Sequence, residues 1–223
     1  MPAPHRLPSP PCQTLWPLLL LLATGAESSS AGAPPEPPQK QPARYFTQRM
    51  DHFNSEMSPR TWQQRYYMDD SAWSGADKLG PVLFIPGGEW SVTPEKGLLY
   101  GMVRELASEM GGIALIAEHR FYGGSIPWNN SVAEAFTPRP DRLGLLSVSQ
   151  ALGDYAAIIQ AVRTSHGCRD CPVISFGGSY SGKLSAYLRL KYPTVVDMAL
   201  AARPPLIASP CTQFTRAGIE WRR

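Results

Sequence analysis

ISFGGSYSGKLSAY, residues 174–187, passes from a short apolar segment through a glycine pair to Ser179 and then into an amphipathic run. A strand, a sharp turn and a helix around a serine make a nucleophile elbow, in which a strained turn exposes the hydroxyl at the end of a sheet. Small residues must flank such a serine, because strand and helix cross closely there. Gly177 meets this need two residues before Ser179, and Ser181 stands where the G-x-S-x-G form places its second glycine. Serine is small, so the departure from the strict pattern is mild.

Working outward, the chain from residue 81 alternates short apolar runs with longer segments of 3.6-residue period. That pattern argues for strands joined by helices in a mostly parallel sheet. Val82–Ile85 reads as a buried strand ended by Pro86, Gly87 and Gly88. Thr93 and Pro94 suit a helix start, and Leu98, Leu99, Met102, Val103, Leu106 and Met110 follow at helical spacing until Gly111 and Gly112. Ile113–Ala117 is a second strand. Ser147 and Gln150 have capping-box spacing ahead of a helix with Val148, Leu152, Tyr155, Ile159 and Val162 on one stripe. Val173–Phe176 is the third strand and delivers Ser179 to its turn. The next helix presents Leu184, Tyr187, Leu188 and Tyr192 and ends at Pro193. VVDMALA, residues 195–201, is a fourth strand, and TWQQRYYM, residues 61–68, belongs to an early β-hairpin.

In hydrolases built this way, the oxyanion of the tetrahedral intermediate is held by the backbone N–H after the nucleophile and by one from the loop after an earlier strand. Those positions are Tyr180 and the Gly87-Gly88-Glu89 segment, with Gly88 the expected donor. The competing reading is that the two glycines only turn the chain.

A hydrophobic content of 43% with 17% charged residues is that of a folded core, and a net charge of +3 with scattered basic residues excludes a nucleic-acid surface. Arg6, the apolar run Leu15–Ala23 and small residues near Gly25 and Ala26 form a signal-peptide pattern over residues 1–26. The apolar run is too short for a membrane anchor, so stable membrane insertion is not expected. Residues 27–43, rich in Ser, Pro and Gln, read as a disordered lead-in. Secretion leaves Cys168, Cys171 and Cys211 as an odd set. The first two have C-x-x-C spacing but precede a strand instead of opening a helix, which favours a structural or unpaired role over a redox one. Asn129-Asn130-Ser131 is an N-x-S sequon, a glycan site at Asn129 or an ordinary turn. No metal or cofactor motif is read.

DHFN (51–54), GGE (87–89), EHRFYGGSIP (118–127), SVSQALGDYA (147–156) and GGSYSGKLSAYLRLKYP (177–193), in this order, resemble the family of lysosomal Pro-X carboxypeptidase, dipeptidyl peptidase II and thymus-specific serine protease. The resemblance covers roughly residues 45–202. It implies the N-terminal part of an α/β-hydrolase catalytic domain over residues 44–202, a serine exopeptidase acting on short proline-containing peptides, and residence in the secretory pathway, in lysosomes or outside the cell. It admits a homodimer of the full-length form and treats Glu118-His119-Arg120 as structural. In dipeptidyl peptidase II the position of Gly88 is an asparagine that helps hold the substrate amine, so dipeptidase specificity is in question here.

The family's helical cap, C-terminal strands, Asp and His come later than the matched region. Residues 203–223 diverge, beginning at Arg203, where a small residue is expected. No histidine follows Ser179; all four, His5, His52, His119 and His166, precede it. The triad order in this fold is Ser, Asp or Glu, then His. The 223 residues thus read as the nucleophile-bearing part of a serine exopeptidase. The alternative is an inactive secreted or lumenal homologue that at most binds peptides or a partner.

Overall fold

The computed structural model describes residues 41–54, 60–93, 98–128, 131–135, 142 and 144–205, all within the compact unit Pro38–Arg223. The expected signal peptide, nearly all of the lead-in, the helix start after Thr93, the Asn129 sequon, Cys211 and the tail beyond residue 205 lie outside the described residues. Among the described residues the strands and α-helices follow in order: β1 (Arg44–Arg49), β2 (Thr61–Asp69), β3 (Val82–Pro86), α1 (Leu98–Glu109), β4 (Ile113–Ala117), the short α2 (Val132–Ala135), α3 (Val148–Ser165), β5 (Val173–Gly178), α4 (Ser179–Lys191) and β6 (Met198–Ala202).

The strands form one sheet in the order β1-β2-β4-β3-β5-β6. β1 and β2 are the antiparallel hairpin expected near residue 61, with Arg44 opposite Tyr66 and Arg49 opposite Thr61. β2 runs antiparallel to β4, and β4, β3, β5 and β6 are parallel. This is the N-terminal half of the α/β-hydrolase arrangement. The strand sequences carry the reason. β3 and β4 are buried at every residue and read as unbroken apolar runs, as strands covered on both faces must. β1 and β2 instead mix buried and exposed positions.

Two apolar layers cover the sheet. On one face, Leu152, Tyr155, Ile159 and Val162 of α3 and Leu184 and Leu188 of α4 pack with Val82, Phe84, Ile113, Leu115 and Val173. On the other, Tyr100, Val103 and Ala107 of α1 pack with Leu83, Ile85, Ala114 and Ile116. The stripe predicted for α1 needs correction here: Met102 and Met110 are half exposed, and the core is made by Tyr100, Val103 and Ala107. Met102 lies about 100° around the helix from Val103, too far to share its face, and Met110 falls just past the last turn.

The last strand is also shorter than its sequence suggests. Val195 and Val196 are buried in the turn before it, and Asp197 pairs with Val173 through both its backbone N–H (2.9 Å) and a side-chain oxygen (2.8 Å). Pairing with β5 begins only at Met198. Just beyond β6, Arg203 has φ 49°, a left-handed conformation that glycine adopts most easily. That explains why a small residue suits this position. Cys168 and Cys171, both buried, are not unpaired: they form a disulfide with each other ahead of β5 (Cα–Cα 5.4 Å).

Candidate active site

Ser179 is the first residue of α4, directly after β5, and its side chain is exposed at the carboxyl edge of the sheet. Its φ is 54°. A non-glycine residue held in the left-handed region is strained, and such strain concentrates where a turn must present a side chain. The flanking residues show how the turn is closed. A Cβ on Gly177 would lie 2.3 Å from the carbonyl carbon of Ser181, so no larger residue fits there. On the far side the close approach is made at Gly182, whose added Cβ would stand 2.9 Å from the Gly177 oxygen. The second indispensable glycine is therefore one residue later than the G-x-S-x-G form suggests, and Ser181 has a different task. Its buried hydroxyl donates to the Pro86 carbonyl at 2.5 Å, tying the elbow to the end of β3.

The loop after β3 is held from three sides. The Gly87 N–H donates to the Ala117 carbonyl (2.8 Å), the Gly87 carbonyl accepts from the Tyr155 hydroxyl (2.8 Å), and Ser181 holds Pro86. A Cβ on Gly87 would come within 2.6 Å of the Ala117 oxygen, so this glycine serves packing. Because its N–H is engaged inside the fold, any oxyanion donor from this loop must come after it, which leaves Gly88 as the first candidate beside Tyr180. The sequence stripe had counted Tyr155 only as apolar. A fully buried tyrosine needs a partner for its hydroxyl, and that requirement was the available signal.

His119 is buried beside the elbow. Its Nδ1 lies 2.6 Å from the Arg120 carbonyl, which can only accept, so that nitrogen carries the proton and Nε2 is left to accept from the Tyr180 hydroxyl at 3.3 Å. Burial pushes the pKa of His119 down, partly opposed by that carbonyl. Burial, followed by the neighbours Tyr122 and Glu89, pushes Tyr180 up to about 12. His119 thus has its own partners and packs among Tyr122, Tyr155 and Tyr180.

Glu118 and Arg120 are fully buried and engaged elsewhere. Glu118 accepts from Arg65 (2.6 Å) and from the N–H groups of Val92 and Gly124 (2.9 Å each). Arg120 grips Asp154 with two bonds of 2.6 and 2.7 Å and reaches the carbonyls of Leu145 and Met50. Asp154 also holds His52 at 2.7 Å, whose ring presses on Gly153 so closely that a Cβ there would lie 2.7 Å from it. Gln150 receives the His52 N–H (3.0 Å) and donates to Asp51 (2.5 Å). The predicted capping box is therefore half formed: Ser147 caps the Gln150 N–H, but the Gln150 side chain is diverted to the loop after β1. Asp51 and His52 of DHFN, Arg120 of EHR, and Gln150 and Asp154 of SVSQALGD, read as separate motifs in the sequence, form one hydrogen-bonded network. Its His52–Asp154 pair is engaged within this network, with Asp154 also held by Arg120. The remaining described histidine, His166, contacts Asp70 at 3.1 Å at the far end of α3.

A family model described as serine carboxypeptidase S28 matches residues 48–214. The chain belongs to the serine carboxypeptidase S28 family. Mouse lysosomal Pro-X carboxypeptidase is 34% identical over 211 residues, covering 91% of this chain and 41% of the relative. Human thymus-specific serine protease is 34% identical over 164 residues, covering 74% of this chain and 30% of the relative. The chain thus spans less than half the length of these S28 relatives. Among solved structures, a prolyl endopeptidase matches with a TM-score of 0.49 at 15% identity, over 76% of this chain and 22% of that one.

Proposed function

We propose that this chain carries the nucleophile of a secreted or lysosomal serine exopeptidase that cleaves short peptides beside proline. Ser179 Oγ attacks the scissile carbonyl to give an acyl-enzyme, and the N–H groups of Tyr180 and Gly88 receive the oxyanion. The observation that carries this reading is an exposed serine at φ 54° on the β5–α4 junction, inside the region matched by the S28 family. The relatives named as Pro-X carboxypeptidases support a carboxypeptidase over a dipeptidase, as does glycine at position 88. Targeting to the secretory pathway rests on the pattern of residues 1–26, and Asn129 is its glycan acceptor.

A serine hydroxyl needs a base to become a nucleophile at neutral pH. The described histidines have other partners. This favours a second reading, in which the 223-residue chain binds peptides without turning them over. The test joins the chain to the C-terminal segment of a Pro-X carboxypeptidase relative, which supplies an Asp and then a His. The joined form is expected to hydrolyse Pro-X substrates, and Ser179→Ala to lower that rate by about 10⁴ to 10⁶. The 223-residue chain is expected to run no faster than its own Ser179→Ala form. Ser179-dependent turnover by that chain would point to His119 as the base, whereas a joined form indifferent to Ser179→Ala would remove Ser179 from the chemistry.

A further inference from the structure

The loop after β3 carries an indole that belongs to none of the buried apolar clusters. Trp90 is 49% exposed, and its six-membered ring lies over Gly88: a Cβ built on Gly88 would stand 2.4 to 3.0 Å from three of its ring carbons. The loop beneath is fixed. Val92 is buried with its N–H on Glu118 (2.9 Å), and the Ser91 hydroxyl is bonded to Arg65 (2.8 Å). β3, which feeds this loop, is the hydrogen-bonded neighbour of β5, which feeds Ser179, and both end at the same edge of the sheet. Ser181 ties the two ends together through Pro86.

An indole half in solvent, on a loop braced by a buried carboxylate, loses little freedom when something stacks on it. Apolar walls with few polar groups are what binding clefts are made of. We infer that Trp90 is one wall of a substrate subsite at this edge, taking an uncharged apolar residue of the peptide, with the proline ring as its best occupant. The inference rests on reading the edge as a peptide-hydrolysing site. Glu89, the residue before Trp90, carries a charge that reaches His119 and Tyr180 at this edge and disfavours an acidic residue there. Gly88 then has a second reason to be glycine: any side chain at position 88 must push the indole aside.

Binding is measured on the full chain in the Ser179→Ala background, so that the outcome is independent of whether Ser179 is a nucleophile. The probes are an acetylated Ala-Pro-Phe peptide and its counterpart with Asp in place of Pro, titrated by calorimetry. The Pro peptide is expected to bind more tightly than the Asp peptide. Trp90→Ala is expected to weaken it by about three- to tenfold, and Trp90→Phe by less than about threefold. Gly88→Ala tests the same subsite from a different residue. Its methyl must push the half-exposed indole out of its place over the loop, so it is expected to reproduce the Trp90→Ala loss with little change in melting temperature. Equal affinity in the parent and Trp90→Ala, no preference for Pro over Asp, or a Trp90→Ala effect on self-association without an effect on peptide affinity would each overturn the inference.

Discussion

The two flanks of the sheet are finished to different degrees. On the β1-β2-β4 side, Arg120, Asp154, His52, Gln150, Gln48 and Gln64 are bonded to one another or to backbone carbonyls inside the fold. On the β6 side, Met198 and Leu200 are more than half exposed, and among the described residues β6 pairs only with β5. Ser179 sits between them. The contrast shows that its scaffold comes from the closed flank, through Tyr155 and the loop after β4, while the open flank presents an edge to be covered.

The largest expected effect tests the closed flank. Asp154→Asn leaves the Arg120 guanidinium buried without its carboxylate, and breaking such a pair costs about 3–5 kcal/mol. Urea unfolding should show that loss. Glu134→Gln, at the exposed 3.9 Å contact with Arg142, should change stability by less than about 0.5 kcal/mol. Similar losses from the two would mean that the network does not hold this flank.

A smaller effect follows from pH. The folded pKa of His119 is depressed by burial, so the unfolded chain binds the extra proton first. The stabilisation from keeping it neutral is complete above its ordinary value of 6.5 and declines as pH falls from there toward the folded value. Burial works to raise Asp51, but hydrogen bonds from the Phe53 N–H, Gln150 and the Asn54 N–H outweigh it. The carboxyl is held low, and its contribution persists until the pH falls below 3.8. Melting curves at pH 7.5 and 5.0 should therefore show a drop that His119→Gln reduces. An unchanged drop in that variant would assign the acid sensitivity elsewhere.

The smallest effect on stability concerns the open flank. Leu200→Lys puts a charge on an exposed edge and should move the melt by less than about 0.5 kcal/mol. It should nonetheless lower hydrophobic-dye binding and concentration-dependent association, read by light scattering. A parent chain that stays monodisperse and dye-free would show that this edge is covered after all.

Most of the layer architecture was legible because periodicity is local. Val82–Ile85, Ile113–Ala117 and Val173–Phe176 announce buried strands, and each occurs where expected. The elbow was legible for the same reason, since Gly177 and Ser179 lie two residues apart. The polar network was not. His52 meets Asp154 across 102 residues and Asp51 meets Gln150 across 99, and such pairs leave no periodic trace. Buried Arg120 and Gln64 read as surface residues until the partners that neutralise or satisfy them are known. The start of β6 was misplaced because Val195 and Val196 are apolar for the core's sake, not for the sheet's.

The backbone at Ser179 carries a last implication. An L-residue held left-handed costs about 1–2 kcal/mol relative to its relaxed form, a cost glycine does not bear. Left to folding alone, position 179 would be glycine. Ser179→Gly is accordingly expected to melt at or above the parent, and Ser179→Ala no higher than the parent. The chain is most comfortable as a fold in the form that has given up the side chain at position 179 altogether.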